Sequence, residues 1–541
     1  MSVKTFDFIV VGAGSAGAVI AARLSENPRR SVLLVEAGPD SRNPWLAVPI
    51  GFARTFQNPR FNWMYKGEPE PFLDGRRMFV PRGKGLGGSS AINGMVMVRG
   101  QQRDFDHWRQ LGNEGWSYAD VLPFFRKYED YDAGDDDPYH GRGGPIRTMQ
   151  SDWRNPLTEA FIEGAGELGI PRNPDINGAT QDGAGYFQLS QRDGLRSSTA
   201  RGHLRAARRR PNLEIVTEAL VEKVIIAEGR ATGIVYTVGG ERTEARAGRE
   251  VIVSGGSVNS PQLLQLSGIG PTALLREHGI DVVADLPGVG ENLQDHYSVP
   301  IQARVNVPWT LNHQLGSLPR QAAALLRYAI SRKGPLTVAA GVVGVFARTR
   351  PELEGPDIQI HFFPFAREEA EWGVRMHPFS AVSAIVDQHV PLSRGYVRIR
   401  SADPRDPPAI CGNYLDAPED RETLVAGLRL LRSLFNTKAM SPYVEQELVP
   451  GKAVDSDEEL LAYAKAKGDS SYHLAGTCRM GPSTSRMNVV DDRLRVHGVA
   501  GLRVADASIM PVIVSGNTNA TAIMLGEKAA AMVEEDARTS G

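Results

Sequence analysis

Apolar positions along this chain follow two rhythms. "FDFIVV" (6–11) is a short unbroken apolar run, the pattern of a strand buried on both faces. "SAGAVIAARLSE" (15–26) then carries helical spacing, and "SVLLVEAG" (31–38) is a second buried-strand run. Strand, helix and strand in that order predict a βαβ unit. Farther on, "RPNLEIVTEALVEKVIIAEGRATGIVYTV" alternates β-branched and polar residues and breaks at "EGR", which predicts a strand and then a hairpin. "REVIVSGGSVNSPQLLQLSGIG" (249–270) returns to strand, glycine turn and helix. Residues 301–465 differ in texture, with short strands, many prolines and one helical stretch from 318 to 332. The tail, "GLRVADASIMPVIVSGNTNATAIMLGEKAAAMVEED", reads as strand, loop and a long helix from about 518.

Parts of one nucleotide-binding α/β fold thus stand at the start, middle and end of the chain. One domain closes only when the C-terminal helix arrives, and the 301–465 block is inserted as a second domain. The expected class is α/β for the first domain and α+β overall. The 541 residues carry 61 basic and 63 acidic side chains, a formal net charge of −2, which argues against nucleic acid as a partner. Two cysteines, Cys411 and Cys478, are too few for a disulfide framework and suit the reducing cytoplasm. The N-terminus has no signal-peptide pattern, and no apolar run reaches the ~20 residues that span a bilayer. A soluble protein, at most peripheral to a membrane, is expected.

Glycine is enriched, 57 residues in all, and it clusters where backbone must approach a ligand. Gly12, Gly14 and Gly17 have the G-x-G-x-x-G spacing, with Ser15 and Ala16 between them, after a strand and opening a helix. In that spacing Gly12 permits the tight turn, Gly14 lets a pyrophosphate approach and Gly17 lets helix and sheet pack closely, while the helix N-terminus receives phosphates on free N–H groups. Glu36 ends the second strand, next to Ala37, where a carboxylate can accept from ribose hydroxyls. The motif by itself does not choose between FAD and NAD. "PRGKGLGGSSAINGMVMVRG" (81–100) is a second glycine block, anchored by Ile92, Met95, Val96 and Met97, and it suits close contact with a flat cofactor. His473 stands alone in "SYHLAGTCRMG", with no second histidine at ligand spacing, so no metal is expected.

These blocks, with "GSVNSPQLLQLSGIG" and "VADASIMPVIVSGNTNATAIM", occur in the order found in the glucose–methanol–choline (GMC) oxidoreductases, which the chain resembles nearly end to end. Within that group it resembles the bacterial choline-dehydrogenase and alcohol-dehydrogenase branch. The resemblance implies FAD, a Rossmann-like FAD-binding domain and a substrate domain on an antiparallel sheet. It divides the chain into FAD-domain segments 1–155 and 193–300, substrate-domain segments 156–192 and 301–470, and an active-site loop with C-terminal closure at 471–541. It also implies that Gly12, Gly14 and Gly17 face the pyrophosphate and Glu36 the adenosine ribose. Gly88, Ser89, Asn93, Gly94 and Met95 would line the flavin and its phosphates, and Val221 would touch the adenine. Asp506 and Ala507 would approach the ribityl–pyrophosphate region, and Asn517, Thr518 and Asn519 the isoalloxazine. Some members carry a histidine bonded covalently to the flavin just before that first asparagine. Ile92 stands there in this chain, so the FAD is expected to be dissociable.

The resemblance makes His473 the active-site base and Asn517 its partner, since oxidising an alcohol removes a proton from oxygen and a hydride from carbon. Asp295 and His296, in "ENLQDHYSV", read as structural residues near the domain junction, and Cys478 as packing. Electrons are expected to pass to a quinone-like or artificial acceptor, with an O2-consuming oxidase, a choline dehydrogenase, an FAD-containing lyase and a non-catalytic flavoprotein as rivals.

The substrate reading rests on charge. No Asp or Glu occurs from His296 to Pro351, while seven basic residues do. A quaternary ammonium ion needs a carboxylate or an aromatic cage to offset lost hydration. With "GPLTVAAGVVGVFA" (334–347), His361, Phe363, Trp63 and Tyr472 as the expected pocket, the substrate reads as a neutral primary alcohol with an aliphatic or aromatic body. Glu352, Glu354, Asp357, Glu368, Glu369 and Glu371 are the acids that could still reach that pocket. The stretch 318–336 mixes apolar residues with Arg320, Arg327, Arg332 and Lys333. It reads as an ordinary amphipathic helix of the substrate domain, with an acidic membrane surface as the alternative contact.

Overall fold

The structure, a computed structural model, describes residues 3–131, 137–368 and 375–539. Two seven-stranded sheets organise it. The first begins with the predicted βαβ unit: strand Lys4–Val11, helix Gly17–Leu24 and strand Val32–Val35, the two strands parallel with Phe8 opposite Val32. Leu213–Val216 extends the sheet in parallel beyond Val32–Val35, and Glu241–Val253 lies on the other side of Lys4–Val11. Ile9, Val10, Leu34, Val251 and Ile252 are fully or almost fully buried, as strands covered on both faces require.

The predicted hairpin is present. Strands Ala219–Ala227 and Arg230–Val238 turn at Glu228 and Gly229, both with positive φ (51° and 72°), and pass antiparallel into the first half of Glu241–Val253. The second half of that long strand pairs in parallel with Leu502–Val504, from the tail. Helix Asn519–Thr539 then packs on helix Gly17–Leu24, where a Cβ at Gly526 would stand 2.7 Å from the carbonyl oxygen of Ala16. Buried Glu527 fastens the closure, 2.8 Å from Arg23 and 3.0 Å from His203. Burial pushes its carboxyl up, but His203 and Arg23 outweigh that and bring it down to about 2.

The second sheet is antiparallel throughout, in the order Val444–Val449, Tyr297–Val305, Ala381–Gln388, Ile358–Phe363, Val343–Ala347 and Gly183–Tyr186, with Asp469–Ser470 also on Tyr297–Val305. It draws one strand from the 156–192 segment, and Tyr297–Val305 enters it ahead of residue 301. Each central strand alternates. Val299, Ile301, Val382, Ala384, Val386, Ile358, Ile360 and Phe362 are buried on one face. Helix Pro418–Phe435 covers them with Leu424, Leu428, Leu431 and Phe435, each burial contributing about 1.5–3 kcal/mol. Gly427 allows the close approach, since a Cβ there would meet Val386 at 2.8 Å. The other face carries Ser298, Pro300, Gln302, Asp387, Ile385, Ser383, His361 and Phe363, and this face looks into the cavity between the sheets.

Candidate functional site

A cavity of about 1060 Å³ lies between the two sheets. It is lined by Gly12, Gly14, Ser15, Ala16, Glu36, Ala37 and Val221, and by Gly88, Ser89, Asn93, Gly94, Met95 and Val96. Asp506, Ala507, Asn517, Thr518 and Asn519 line it too, as do Trp63, His361, Phe363, Tyr472 and His473. Of the site residues expected from sequence, Gly17 alone does not. Its place is the close packing that the motif spacing predicts for its third glycine: a Cβ at Gly17 would stand 2.0 Å from the Gly12 carbonyl oxygen and 2.9 Å from Ser254. Gly17 therefore serves helix–strand contact. A Cβ at Gly14, by contrast, would meet nothing within 4 Å, so bare backbone faces the cavity.

Glu36 is held by backbone amides. Its Oε2 accepts from Ala13 N–H (2.8 Å), and its Oε1 accepts from Gly38 N–H (2.8 Å) and Gly85 N–H (2.9 Å). Burial raises this carboxyl, against the three amides that favour its charge. Glu36 thus ties the first glycine turn to the second glycine block while still lining the cavity. The two turns touch directly, since Gly87 N–H donates to the Ala13 carbonyl (2.8 Å) and a Cβ at Gly88 would stand 2.7 Å from Gly14 Cα. Asp506 likewise binds protein, accepting from Ser508 N–H (2.8 Å), Gly256 N–H (2.9 Å) and Ser260 Oγ (2.6 Å). Asn93 Oδ1 accepts from Arg196 (2.7 Å) and Met95 N–H (3.1 Å), which leaves its amide nitrogen as the donor into the cavity.

His473 is held from several sides. Its N–H donates to Asp295 Oδ1 (2.7 Å), its Nδ1 lies 3.0 Å from His296 Nδ1, and its Nε2 lies 3.0 Å from Asn517 Nδ2. The tautomer follows from the chain of contacts. His296 Nε2 sits 2.9 Å from the His389 carbonyl, an acceptor, so that nitrogen carries the proton. Burial first of all lowers His296, to about 4, so at neutral pH its Nδ1 holds a lone pair. His473 Nδ1–H must then donate to it, which leaves the Nε2 lone pair facing Asn517. Gln359 Nε2 donates to Asn517 Oδ1 (3.3 Å) and so turns the Asn517 amide nitrogen toward His473.

The backbone next to this ring is strained. Tyr472 has φ 64°, a conformation that costs a bulky residue roughly 1–3 kcal/mol. Arg82 donates to its carbonyl, Tyr472 N–H donates to Ser470 Oγ (2.8 Å), and Tyr472 O–H donates to Asp469 Oδ2 (3.1 Å). Asp295 also accepts from Ser470 and from Tyr414 O–H (2.6 Å), and burial raises it to about 6. Asp295 and His296, expected as structural residues near the domain junction, position the His473 ring. Both touch His473.

Burial, with His296, His361, Arg82 and His389 nearby, holds His473 well below the ordinary imidazole range. A depressed value means that the imidazole loses its lone pair only as pH falls through that lower value. The rate of flavin reduction should accordingly stay level as pH is lowered through about 6.5, with its acid inflection below. An inflection at or above that point in a stopped-flow pH series contradicts the assignment.

Other residues stand in the site without having been expected there. Ser254, Gly255 and Gly256 line the cavity at the start of helix Gly256–Leu266. Asp387, 1% exposed, lies 3.2 Å from His361 Nε2, and neither of its oxygens is hydrogen-bonded among the described residues. Of the 334–347 stretch, Val338 and Ala340 line the cavity, because Phe187 covers Gly344 on the sheet face. Glu368 reaches the cavity wall, Glu352, Glu354 and Asp357 do not, and Glu369 and Glu371 lie outside the described residues. Elsewhere, Asp137, His140 and Asp175 approach one another as metal ligands would. Burial alone would lower His140, but Asp175 (3.0 Å) and Glu129 (2.8 Å) outweigh it and carry it up to about 9.

Residues 6–298 match a family model described as GMC oxidoreductase, and residues 391–526 match a second of the same description. An oxygen-dependent choline dehydrogenase of Pseudomonas putida is 46% identical over 533 residues, covering 97% of this chain and 93% of its own. An alcohol dehydrogenase [acceptor] of Pseudomonas putida is 40% identical over 536 residues, covering 98% of this chain and 95% of its own. Among solved structures, pyridoxine 4-oxidase from Mesorbium loti superposes with a TM-score of 0.88 at 30% identity, covering 98% of this chain and 99% of that one.

Proposed function

The chain belongs to the GMC oxidoreductase family, FAD-dependent oxidoreductases of CH–OH groups, and from that premise we propose that it oxidises a neutral, mainly hydrophobic primary alcohol to the aldehyde, with His473 as the base. The observation that carries this reading is the His473 Nε2 lone pair, opposed at 3.0 Å by the Asn517 amide on the cavity wall.

The residues present fit FAD. Gly14 opens onto the cavity beside the N-terminus of helix Gly17–Leu24, which favours phosphate. Val221 and the second glycine block extend the wall as a planar cofactor requires. Ile92 lines this wall and cannot bond covalently to a flavin. Acid precipitation should leave all the yellow colour in the supernatant; colour retained in the pellet contradicts non-covalent binding. When bound, FAD supplies the acceptor for the hydride that leaves the alcohol carbon.

An alcohol oxygen that enters between His473 and Asn517 replaces their mutual contact with two of its own. It donates its proton to His473 Nε2 and accepts from Asn517 Nδ2–H. His296 holds the ring's other nitrogen and keeps the lone pair aimed at the substrate. Gln359 keeps the amide from flipping. Electrons leave for a quinone or a soluble dye, and oxygen is a poor acceptor. Rapid stoichiometric peroxide formation in air contradicts that part of the reading.

Ile385, Phe363, Phe365 and Met376 make much of the substrate wall apolar. Trp63, which could have caged a cation, has Tyr65 stacked on it (5.7 Å) and Lys84 over its ring (4.7 Å). Asp469 binds Tyr472 and Glu368 binds Arg375 (2.9 Å), while Asp387, 3.2 Å from His361 Nε2, has neither oxygen hydrogen-bonded among the described residues. A second reading, choline, is favoured by the names of relatives such as the 46%-identical one. The discriminating experiment compares kcat/KM for hexanol, benzyl alcohol and choline under one acceptor. The neutral alcohols should lead, and a clear preference for choline contradicts the proposal.

A further inference from the structure

Helix Leu318–Ser331 is amphipathic, but its broad apolar face points outward. Leu318 is 80% exposed, Leu325 51%, Leu326 62% and Ile330 77%. Only Ala324 and Tyr328 of the helix are buried, against Leu336, Val48, Ile50 and Leu315. At about 100° per residue, Leu318, Ala322, Leu325, Leu326, Ala329 and Ile330 fall within an arc of roughly 140°, opposite the buried pair. Burying that face on the domain was the expectation from sequence, and the structure reverses it. Four large aliphatic side chains exposed on one short helix are more than scattered surface apolarity accounts for.

Charge identifies what covers them. Arg320 and Arg327 stand along one border of the apolar arc, and Arg332 and Lys333 follow its C-terminal end. No carboxylate lies within ion-pair distance of any of the four among the described residues; Arg320 donates to the His313 carbonyl (3.0 Å) and Arg332 lies over the Tyr328 ring (5.1 Å). From His296 to Pro351 the chain has no acid at all. An apolar face bordered by unpaired cations is complementary to acyl chains under anionic headgroups. We propose that helix Leu318–Ser331 docks this protein on the surface of an anionic phospholipid bilayer, with Leu318, Leu325, Leu326 and Ile330 entering the headgroup–acyl boundary.

The helix cannot cross the bilayer: no described helix is long and apolar enough. It lies in the interface plane. Its contact residue Ile50, together with Leu311 before it and Val338 after it, lines the cavity, so docking brings the cavity wall beside the lipid.

The test uses the full FAD-loaded chain in co-sedimentation with vesicles of phosphatidylcholine alone or mixed equally with phosphatidylglycerol. Wild type should pellet with the mixed vesicles and be released by raised salt. The Leu325→Glu/Leu326→Glu/Ile330→Glu variant should bind on the order of 10²-fold more weakly. Arg320→Glu/Arg327→Glu should bind on the order of tenfold more weakly. Both variants should keep the wild-type flavin spectrum and turnover with a soluble dye, because the altered side chains face solvent. Wild type remaining in the supernatant with mixed vesicles overturns the proposal. So does equal binding to phosphatidylcholine alone, or a wild-type dimer that the Leu/Ile variant converts to monomer, which would make the face a contact between copies. Binding is read without turnover, so its failure is distinct from failure of the alcohol-oxidation reading.

Discussion

Replacing His473 by alanine slows reduction of the bound flavin by ~10²–10⁴-fold while FAD stays in place, the range that general-base catalysis spans. The size follows from what the imidazole alone supplies. Its Nε2 is an unprotonated nitrogen set on the cavity wall, with His296 fixing the tautomer at 3.0 Å and burial holding its proton affinity down. Arg82 is a cation and Asn517 a donor, so neither can take the hydroxyl proton in its place. Asn517→Ala should cost less, because the amide positions the oxygen and carries no proton away. FAD retention is expected because the glycine turns that face the cavity do not hydrogen-bond the His473 side chain. The measurement is anaerobic stopped-flow reduction of both variants against wild type, with flavin content read from the same samples. A normal reduction rate in His473→Ala would remove the base from the mechanism.

The second large effect separates two glycines of one motif. Gly17→Ala places a Cβ 2.0 Å from the Gly12 carbonyl oxygen and 2.9 Å from Ser254 Cβ. Backbone has to move, and helix Gly17–Leu24 cannot retreat because Asn519–Thr539 packs behind it, with Gly526 against Ala16. Overpacking of this kind costs about 1–3 kcal/mol. Here it also distorts the turn that presents amides to phosphate, so the variant should purify colourless with a lowered Tm. Gly14→Ala adds a Cβ that meets nothing within 4 Å of protein. It should keep its apoprotein Tm and lose FAD affinity alone, since the methyl enters space reserved for the ligand. Thermal melts with and without added FAD distinguish the two. A Gly17→Ala protein with wild-type colour and Tm would contradict this division of labour.

The strands and helices of the first sheet were legible because buried parallel strands write themselves as unbroken apolar runs, as "FDFIVV" and "SVLLVEAG" do. Leu213–Val216 was harder, since its three outer residues are half-buried and its partner is distant in sequence. The glycine turns were legible through spacing. The division of labour between Gly14 and Gly17 was legible with it; which atoms a Cβ at each would meet needed coordinates.

The polar face of the second sheet was the missed signal. His296, Ser298, Pro300 and Gln302 alternate with buried Tyr297, Val299, Ile301 and Ala303. Gln359, His361 and Phe363 alternate with Ile358, Ile360 and Phe362, and Ser383, Ile385 and Asp387 with Val382, Ala384 and Val386. Ser298, Gln302, Gln359, His361, Ser383 and Asp387, at alternate positions of strands whose other face is apolar and buried, mark a face turned toward a cavity. That period was present in the sequence. Register across the strands, which sets Ser298 opposite Asp387 and Asp387 opposite Gln359, was not.

The most direct measurement is anaerobic mixing of the FAD-loaded protein with benzyl alcohol and with hexanol, following the oxidised-flavin absorbance in a single turnover. The account predicts that the absorbance bleaches and that one aldehyde forms per flavin. A flavin that no alcohol bleaches, or bleaching without aldehyde, contradicts it.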